Sequence, residues 1–422
     1  MSTNRRIATS GIILLSILLL VTACSNSSSG AAPGATPQSS QSATSVSQRY
    51  QALSKTLQGE IDTFAQANTQ AGSGQTTTKP VMGAHLLIAN GNIGPGLLDP
   101  AVLDAAKLNL NRFQELGIQG VTITISFPLL TPNFPQSTQY LTYYQKVAHE
   151  IRARHMTLTI EQNMIFTGTT YSPVKFDYSQ YTFAQFIAAD HQMAQTILDK
   201  IAPDYLAVLG EPDTYAKLTG FKELQTVQGA TDFARGVMQG LQKGKTLVGA
   251  GTGSWLGSQY AQSLITLPGL DFLDIHIYEI DPQFIQNAFT MANIAHQAKK
   301  RVIMDEAWLY KTTKAELQST SRGIATNDVI FQRDHYSFWE PLDSAFLAQI
   351  VRFTRVEGLD YVSPFWTTNF FAYLQYSSAR ESQSYKEQAK ELNQLAYQNM
   401  QQDTFSSVGL AYRDAIRAST SQ

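Results

Sequence analysis

Two glutamates in this sequence stand where a short apolar run ends. Glu211 follows the run 205–209, and Glu306 follows the run 301–305. Two carboxyl groups that face each other can hydrolyse a glycosidic bond, because one protonates the leaving oxygen while the other attacks the anomeric carbon. A nearby negative charge raises the pKa of the acid and keeps it protonated near neutral pH. The pair therefore predicts glycoside hydrolysis if the fold brings the two side chains together.

The elements that would position them alternate along the chain between β-rich apolar runs and segments of helical periodicity. The runs cover residues 81–88, 121–126, 156–161, 205–209, 246–250, 272–278, 301–305 and 361–366. The helical patterns cover 101–116, 138–153, 182–202, 229–243, 283–299, 342–357 and 385–401, with further helices at 48–70 and 405–418.

Eight strands separated by helices predict right-handed crossovers and a parallel sheet. Eight such units close naturally into a (β/α)8 TIM barrel, here with an extra helix at each end, within a domain at 48–422. A doubly wound open sheet is the alternative. It would usually carry a glycine-rich phosphate loop after the first strand. The glycines at 91, 94 and 96 lack that spacing, so we interpret the segment as a turn-rich loop.

Catalytic groups of such a barrel project from the C-terminal ends of the strands, where Glu211 and Glu306 would meet. The alternative roles for Glu211 are an acid at a helix N-terminus and an ion-pair partner. Asp305, the neighbour of Glu306, is the other candidate for the functional carboxylate on this strand. Only one of the two can point into the barrel, because successive strand residues face opposite ways. If Met304 fills the barrel interior, Glu306 points inward and Asp305 outward. We therefore expect Glu306 to be the functional carboxylate.

These strand ends resemble those of the retaining glycoside hydrolases of clan A, which includes cellulase-, mannanase- and galactanase-like barrels. Glu211 within Gly-Glu-Pro is similar to the acid/base motif on strand four, and Glu306 within Met-Asp-Glu-Ala-Trp to the nucleophile motif on strand seven. His276-Ile277-Tyr278 resembles the His-x-Tyr of strand six, whose Tyr hydrogen-bonds the nucleophile. Trp366 matches the aromatic floor on strand eight. The resemblance covers 81–401 through short motifs and implies retaining hydrolysis, with His276 and Tyr278 positioning the nucleophile.

Two positions depart from the clan's pattern. The Asn that usually precedes the acid/base and contacts the sugar 2-hydroxyl is replaced by Gly210. The Arg near the end of strand two has no clear match, since that strand ends at Ser126-Phe127-Pro128. Either other residues replace these contacts, or the protein is a weak or inactive relative.

Further residues at strand ends are candidates for contact with a sugar. His85 would line the sugar site or be buried, and Asn163, with Glu161 and Gln162, would bind hydroxyls or cap the following turn. Trp308 is a candidate stacking platform. Other rings near the barrel mouth either stack on sugars or pack the loops, namely Trp255, Tyr310, Tyr336, Phe338 and Trp339. No His-x-His pair or zinc-ligand spacing occurs, so we expect neither a metal nor an organic cofactor.

The N-terminus predicts export and a lipid anchor. Arg5 and Arg6 precede an apolar run at 12–21, which ends in Val-Thr-Ala-Cys24. This resembles the lipobox of bacterial lipoproteins, in which the Cys is lipidated. A plain secretory signal cut near Ala23 is the alternative. Residues 24–47 are rich in Ser, Gly, Ala, Pro, Thr and Gln, which predicts a disordered tether.

Composition narrows the function classes. Cys24 is the only cysteine of the 422 residues, so no disulfide forms within the chain. A net charge of −2 gives no electrostatic footprint for nucleic acid. We expect a monomer that binds carbohydrate and meets the membrane through its anchor. Two alternatives to a cell-surface hydrolase remain: a non-catalytic glycan-binding barrel, and a solute-binding lipoprotein of a transporter, which would be two-lobed.

Overall fold

The computed structural model describes residues 46–72, 79–319 and 328–420. The expected signal peptide, the lipidation site Cys24 and nearly all of the tether lie outside these ranges. Within them, every helix is too short or too polar to cross a bilayer.

Eight parallel strands form a closed barrel in the order in which they occur along the chain. Strand β8 pairs with β1 through Tyr361 and Val81, which closes the ring. The strands are β1 (Val81–His85), β2 (Gly120–Phe127), β3 (Thr157–Met164), β4 (Tyr205–Ala207), β5 (Leu247–Gly253), β6 (Phe272–His276), β7 (Arg301–Ala307) and β8 (Tyr361–Pro364). The TIM-barrel prediction is confirmed. Closure contradicts both the open sheet and the two-lobed architecture of the solute-binding alternative.

Helices connect the strands, and their bounds lie within a few residues of most predicted segments. They are α1 (Gln51–Ala71), α2 (Pro100–Glu115), α3 (Ser137–Ala153), α4 (Phe183–Lys200), α5 (Pro212–Thr219), α6 (Val227–Met238), α7 (Ser258–Leu264), α8 (Pro282–Gln297), α9 (Lys314–Ser319), α10 (Asp328–Arg333), α11 (Glu340–Val356), α12 (Ser378–Glu381), α13 (Tyr385–Gln401) and α14 (Ser407–Thr420). The short helices α5, α7, α9, α10 and α12 were not predicted, because a segment of eight residues or fewer shows too little helical periodicity. The glycine-rich segment after β1 forms a 3-10 helix at Gly91–Leu98 rather than a plain loop.

The lower part of the barrel interior is filled by large rings beside glycines. Tyr205, Phe272, Ile303 and Tyr361 pack together there, apart from the larger core that lies between strands and helices. A Cβ placed on Gly83 would come within 2.5 Å of the Tyr361 hydroxyl. The strands therefore need glycine where a ring crosses the interior.

Strand β7 does not alternate as the sequence predicts. Ile303 packs inside the barrel, whereas Met304 belongs to the core between the strands and the helices. Asp305 consequently faces inward and is fully buried. The pairing of β7 with β8 shifts register between Met304 and Ala307, and Glu306 also reaches the interior, where it contacts Tyr278. The expectation of an inward Met304 and an outward Asp305 is wrong, because the irregularity turns two successive carboxylates to the same side.

The two flanking helices pack on the outside of the barrel near α11. From α1, Asn68 Nδ2 donates to the backbone oxygen of Gln349, and the ring of Phe64 lies 6.0 Å from that of Phe353. From α14, the hydroxyl of Tyr412 donates to the carbonyl of Gly83 in β1. Both helices thus belong to the same folded body as the strands.

Candidate active site

A cleft of about 340 Å³ opens at the C-terminal ends of the strands. Glu211, Glu306 and Tyr278 contribute to its lining, and they reach it from the ends of β4, β7 and β6. The remaining charged side chains that line it are Lys386 and Lys390 of α13. The two carboxylates predicted from the sequence therefore share one cavity, at the face of the barrel where active sites occur.

Glu211 is held by two donors. It precedes Pro212, the first residue of α5, yet its side chain makes no capping hydrogen bond with that helix. Thr214 Oγ1 donates to Oε2 at 2.6 Å, and His276 Nδ1 lies 3.0 Å from Oε1. Glu211 thus stands at the N-terminus of α5 without capping its backbone, and its ion-pair partner is His276. Burial raises the pKa of Glu211, but the hydrogen bond and positive charge of His276 outweigh burial, and the net shift is downward.

Glu306 has a different environment at the end of β7. Tyr278 Oη donates to its Oε2 at 2.6 Å, as the resemblance implied. The side chain is nearly buried, with 6% of the residue exposed. Burial, followed by the negative charge of Glu161, raises the pKa of Glu306 well above its usual range.

The two carboxyl groups are close together. One oxygen of Glu211, one of Glu306 and a ring nitrogen of His276 all lie within 4.8 Å of one another. Carboxyl groups about 5–5.5 Å apart are typical of retaining glycosidases, whereas inverting enzymes keep them roughly 6.5–9.5 Å apart. The nearest carboxyl oxygens of Glu211 and Glu306 are thus closer together than the inverting separation.

His276 lies at the centre of a buried acidic cluster. Its Nε2 is 2.8 Å from Asp305 Oδ1 and 3.2 Å from Asp274 Oδ2, and both aspartates are fully buried. Burial lowers the pKa of His276, but Asp274, Asp305 and Glu211 together raise it well above its usual range. His276 is therefore an imidazolium that donates from both nitrogens. It lies closer to Glu211 than to Glu306, whose Oε2 is 3.6 Å away.

The acidic cluster also has the residue types of a metal site, since Glu211, His276 and Glu306 could each offer a ligand atom. A metal-bound histidine must present a lone pair to the ion. Here Nδ1 faces Glu211 and Nε2 faces two aspartates, so both ring nitrogens are engaged as proton donors. In this arrangement both ring nitrogens of His276 are engaged by carboxyl groups.

Glu161 and Asn163 complete the floor of the site from β3. Asn163 Nδ2 donates to Glu161 Oε1 at 2.7 Å, and Thr124 Oγ1 donates to Oε2 at 3.1 Å. Asn163 lines the cleft, and Glu161 is fully buried beneath it. Gly210 packs beside this pair: a Cβ there would lie 2.9 Å from His276 Cε1 and 3.2 Å from Glu161 Oε1. The space that a side chain at 210 would need is already filled.

The aromatic candidates divide between the cleft and the core. Trp366 and Tyr310 line the cleft, and Tyr310 stacks on Tyr278 with ring centroids 4.4 Å apart. Trp308 does not reach it. Its side chain is fully buried, its ring packs near Phe370, and the ammonium of Lys311 lies 5.8 Å from its centroid. Trp308 is thus corrected from a sugar platform to a core residue.

Several other predicted residues also serve the core. His85 is fully buried, with Nε2 3.8 Å from Glu306 Oε1 and its ring 4.7 Å from that of Phe365. Burial lowers the pKa of His85 to about 3, so the ring is neutral. The side chains that only pack the long connection after β7 are Tyr336, Phe338 and Trp339, which are buried and contact one another or Tyr50.

Two members of the site were missed by the sequence interpretation. Asp274 precedes His276 by two residues on β6, and side chains two apart on a strand share a face. That spacing was an available signal for its inward position. Thr214, by contrast, lies in α5, which the sequence did not reveal.

No family profile matches the sequence, and no curated protein matches it either. Solved structures with a similar fold exist. A GH5_18 protein from Bifidobacterium longum subsp. longum shares 12% identity over 81% of this chain and 80% of its own, with a TM-score of 0.51. An exo-β-1,4-mannosidase from Opitutaceae bacterium strain TAV5 shares 12% over 83% of this chain and 62% of its own, also with a TM-score of 0.51. At this identity the likeness shows the barrel fold alone.

Proposed function

We propose that this protein is a retaining glycoside hydrolase of the clan A type, acting on a poly- or oligosaccharide. The observation that carries the proposal is the approach of Glu211 and Glu306 to within 4.8 Å on the floor of an open cleft. The motif order along the barrel and the hydrogen bond from Tyr278 to Glu306 support it. The spacing favours the retaining over the inverting reaction.

In the first step, a carboxylate oxygen of Glu306 attacks the anomeric carbon and forms a glycosyl ester. The bond from that carbon to the glycosidic oxygen breaks, and Glu211 gives its proton to the departing oxygen. In the second step, water attacks the same carbon, Glu211 takes a proton from the water, and the ester bond to Glu306 breaks. The two residues thereby return to their starting states.

The first step requires a protonated Glu211 and an ionised Glu306, but the free protein favours the opposite protonation states. The pKa of Glu211 is lowered and that of Glu306 is raised in the free protein. His276 offers a source for the missing proton, since its protonated Nδ1 stands 3.0 Å from Glu211 Oε1. Transfer of that proton makes Glu211 the acid, and His276 Nδ1 regains a proton from Glu306 Oε2, 3.6 Å away, so that Glu306 becomes the carboxylate that attacks.

The cleft suits a carbohydrate in shape and lining. Trp366 at the end of β8 and Tyr310 beside Tyr278 offer ring faces, and Asn163 offers an amide to hydroxyl groups. A GH5_18 variant of similar fold was solved with the disaccharide Manb1-4GlcNAc, and the Opitutaceae protein is an exo-β-1,4-mannosidase. We therefore propose β-mannosides as the first substrates to screen.

We further propose that the protein is anchored at the bacterial cell surface through a lipidated Cys24, as the lipobox-like Val-Thr-Ala-Cys segment indicates. Cys24→Ala should lose incorporation of labelled fatty acid and should appear in the soluble fraction of the cell envelope. Retention of both label and membrane association in that variant would contradict the anchor.

The hydrolase proposal is tested by removing its nucleophile. Glu306→Ala should abolish hydrolysis of an activated aryl glycoside, and added azide should restore turnover and give a glycosyl azide of inverted configuration. A matched control is Glu357→Ala, which removes a glutamate at the C-terminal end of α11, outside the cleft. If Glu306→Ala keeps full activity, the proposal fails. If no glycan is hydrolysed but oligosaccharides bind, the non-catalytic glycan-binding barrel is the better assignment.

A further inference from the structure

Glu161 lies in the proposed catalytic centre, although the double displacement gives it no task. It comes from β3, is fully buried, and accepts hydrogen bonds from Thr124 and Asn163 on its two carboxyl oxygens. A buried carboxyl group is costly unless its lone pairs are satisfied. Two fixed donors both hold this carboxyl in place and favour its charged form.

The carboxyl group of Glu161 also approaches that of Glu306. One oxygen from each, together with a ring nitrogen of His85, lies within 4.8 Å of the others. At this separation the ionisation of either carboxyl group depends on the charge of the other. Two carboxylates so close in a buried site do not both ionise readily, and one proton is then held between them.

We infer that Glu161 is a positioning residue that shares one proton with Glu306 and so sets the pH at which the nucleophile becomes ionised. The role of Glu306 as nucleophile rests on the proposed function. The shared proton does not, since it follows from the placement of the two side chains.

The proton of this pair resides mainly on Glu306. Glu161 receives hydrogen bonds from two donors outside the pair, and Glu306 receives one, from Tyr278. Burial raises the pKa of Glu161 to about 7, whereas the pKa of Glu306 is raised by burial and additionally by the charge of Glu161. Glu161 therefore takes the negative charge first, and Glu306 keeps its proton until the pH rises further.

Other titratable groups face the pair and bias the same equilibrium. They are His85 from β1, Glu211 and Tyr215 from the segment that follows β4, His276 and Tyr278 from β6 and its end, Asp305 from β7, and Tyr310 from the loop after β7. Asp274 of β6 contacts His276 and Asp305. His276 is the one imidazolium among them. Because the charge of Glu161 is itself a cause that raises the pKa of Glu306, its removal should favour the ionised form of Glu306.

Gly210 is part of the same arrangement. The absence of a side chain at 210 leaves room for the Glu161 carboxyl beside the ring of His276. The position that departs from the clan's pattern is thus the position that admits a third carboxyl group to the site.

The test is the pH dependence of hydrolysis by Glu161→Gln, which keeps the shape of the side chain and removes its charge. We expect the acidic limb of kcat/KM to move to lower pH by about 1 unit, the size typical of a charge removed from within about 4–6 Å. Asp190→Asn is the matched control, because Asp190 is another fully buried carboxyl that lies outside the cleft. An acidic limb that stays at the wild-type pH in Glu161→Gln would overturn the inference.

A second readout does not need activity. The infrared band of protonated carboxyl groups, followed by difference spectroscopy between wild type and Glu161→Gln, should lose intensity at a lower pH in the variant. Absence of hydrolysis together with this spectral change would reject the hydrolase and keep the shared proton. Hydrolysis with neither spectral nor kinetic change would reject the shared proton and keep the hydrolase.

A third variant tests the inference while leaving Glu161 itself in place, in case Glu161→Gln fails to fold. Thr124→Val removes one donor to Glu161 without touching a residue that lines the cleft. It should weaken the charged form of Glu161 and move the acidic limb in the same direction by a smaller amount. A shift to higher pH would contradict the sharing.

Discussion

The phenolic oxygen of Tyr278 lies 2.6 Å from Oε2 of Glu306, and both residues are nearly buried at the floor of the cleft. A hydrogen bond to a charged acceptor is worth more than a neutral one, and it favours the ionised form of that acceptor. Tyr278 therefore pulls the proton equilibrium of Glu306 in the opposite direction from Glu161.

Replacement of Tyr278 by Phe should test this pull. The ring can still stack on Tyr310, so the change removes little besides the donor. A hydrogen bond to a charged group contributes about 1.5–3 kcal/mol, which corresponds to a loss of roughly 10–100-fold in kcat. The acidic limb of the pH profile should move to higher pH, because the ionised form of Glu306 has lost a donor.

Tyr260→Phe is the control for Tyr278→Phe, since its hydroxyl donates to the backbone of Gln225, outside the cleft. It should leave both kcat and the pH profile unchanged. If Tyr278→Phe loses activity with no movement of the acidic limb, the hydroxyl acts on the structure of the site and not on the ionisation of Glu306.

Substitution of Gly210 tests whether the site is complete without the clan's usual asparagine. Gly210→Asn should lower activity and stability, because its Cβ would crowd the His276 ring and the Glu161 carboxyl. Overpacking of this kind costs about 1–3 kcal/mol. The thermal midpoint and kcat/KM would both be measured. Gly59→Ala in α1, where a Cβ meets open space, is the neutral control.

A gain of activity in Gly210→Asn would show instead that the protein is a weakened relative that lacks only this contact. The double variant Gly210→Asn, Glu161→Ala separates the two explanations further. Relief of crowding predicts that the second substitution recovers part of the lost stability.

The strand ends were predictable because their signals are local. Apolar runs bounded by helices indicated eight βα units, and the C-terminal end of each run named Glu211, Glu306, Tyr278 and Trp366 as candidates, all of which line the cleft. Parallel strands in a closed barrel must present their C-terminal ends on one face. Sequence order along the barrel therefore sufficed to bring these four side chains together.

Other features depend on contacts that local patterns do not contain. The inward turn of both Asp305 and Glu306 needs a register shift against β8, which alternation alone cannot reveal. Trp308 is buried because Lys311 and Phe370 cover it after the chain has left β7. The room for the Glu161 carboxyl beside the His276 ring depends on Gly210, in the segment that follows β4. Each outcome is decided by a neighbour distant in sequence.

Lys311 anchors the connection after β7 in the core. Its ammonium is fully buried and lies 2.5 Å from Asp343 Oδ1 and 3.2 Å from Asp334 Oδ1. Lys311→Met should leave two buried carboxylates without a positive partner and destabilise the protein by about 3–5 kcal/mol. Chemical denaturation would measure the loss. Lys314→Met, which removes an exposed partner of Asp281, should change stability by less than about 1 kcal/mol.

A second substitution at the partner of Lys311 tests the cause of this loss of stability. If the cost in Lys311→Met arises from uncompensated charge, the double variant Lys311→Met, Asp343→Asn should recover part of the stability. No recovery would point to lost packing of the lysine stem against Trp308 as the main cause.

Replacement of Asp190 in α4 by Asn should increase the stability of the protein by an amount that depends on pH. Its carboxyl is fully buried, and burial raises its pKa to about 8 although the Gln162 side chain acts in the opposite direction. A carboxyl whose folded pKa lies above its unfolded pKa costs stability as the pH rises from the unfolded value, near 4, toward the folded one. Asn at 190 mimics the protonated form and escapes that cost. Asp190→Asn should therefore match the wild type in thermal midpoint near pH 4 and exceed it increasingly up to about pH 8. An advantage that does not grow with pH would mean that Asp190 is charged and paired in the folded protein.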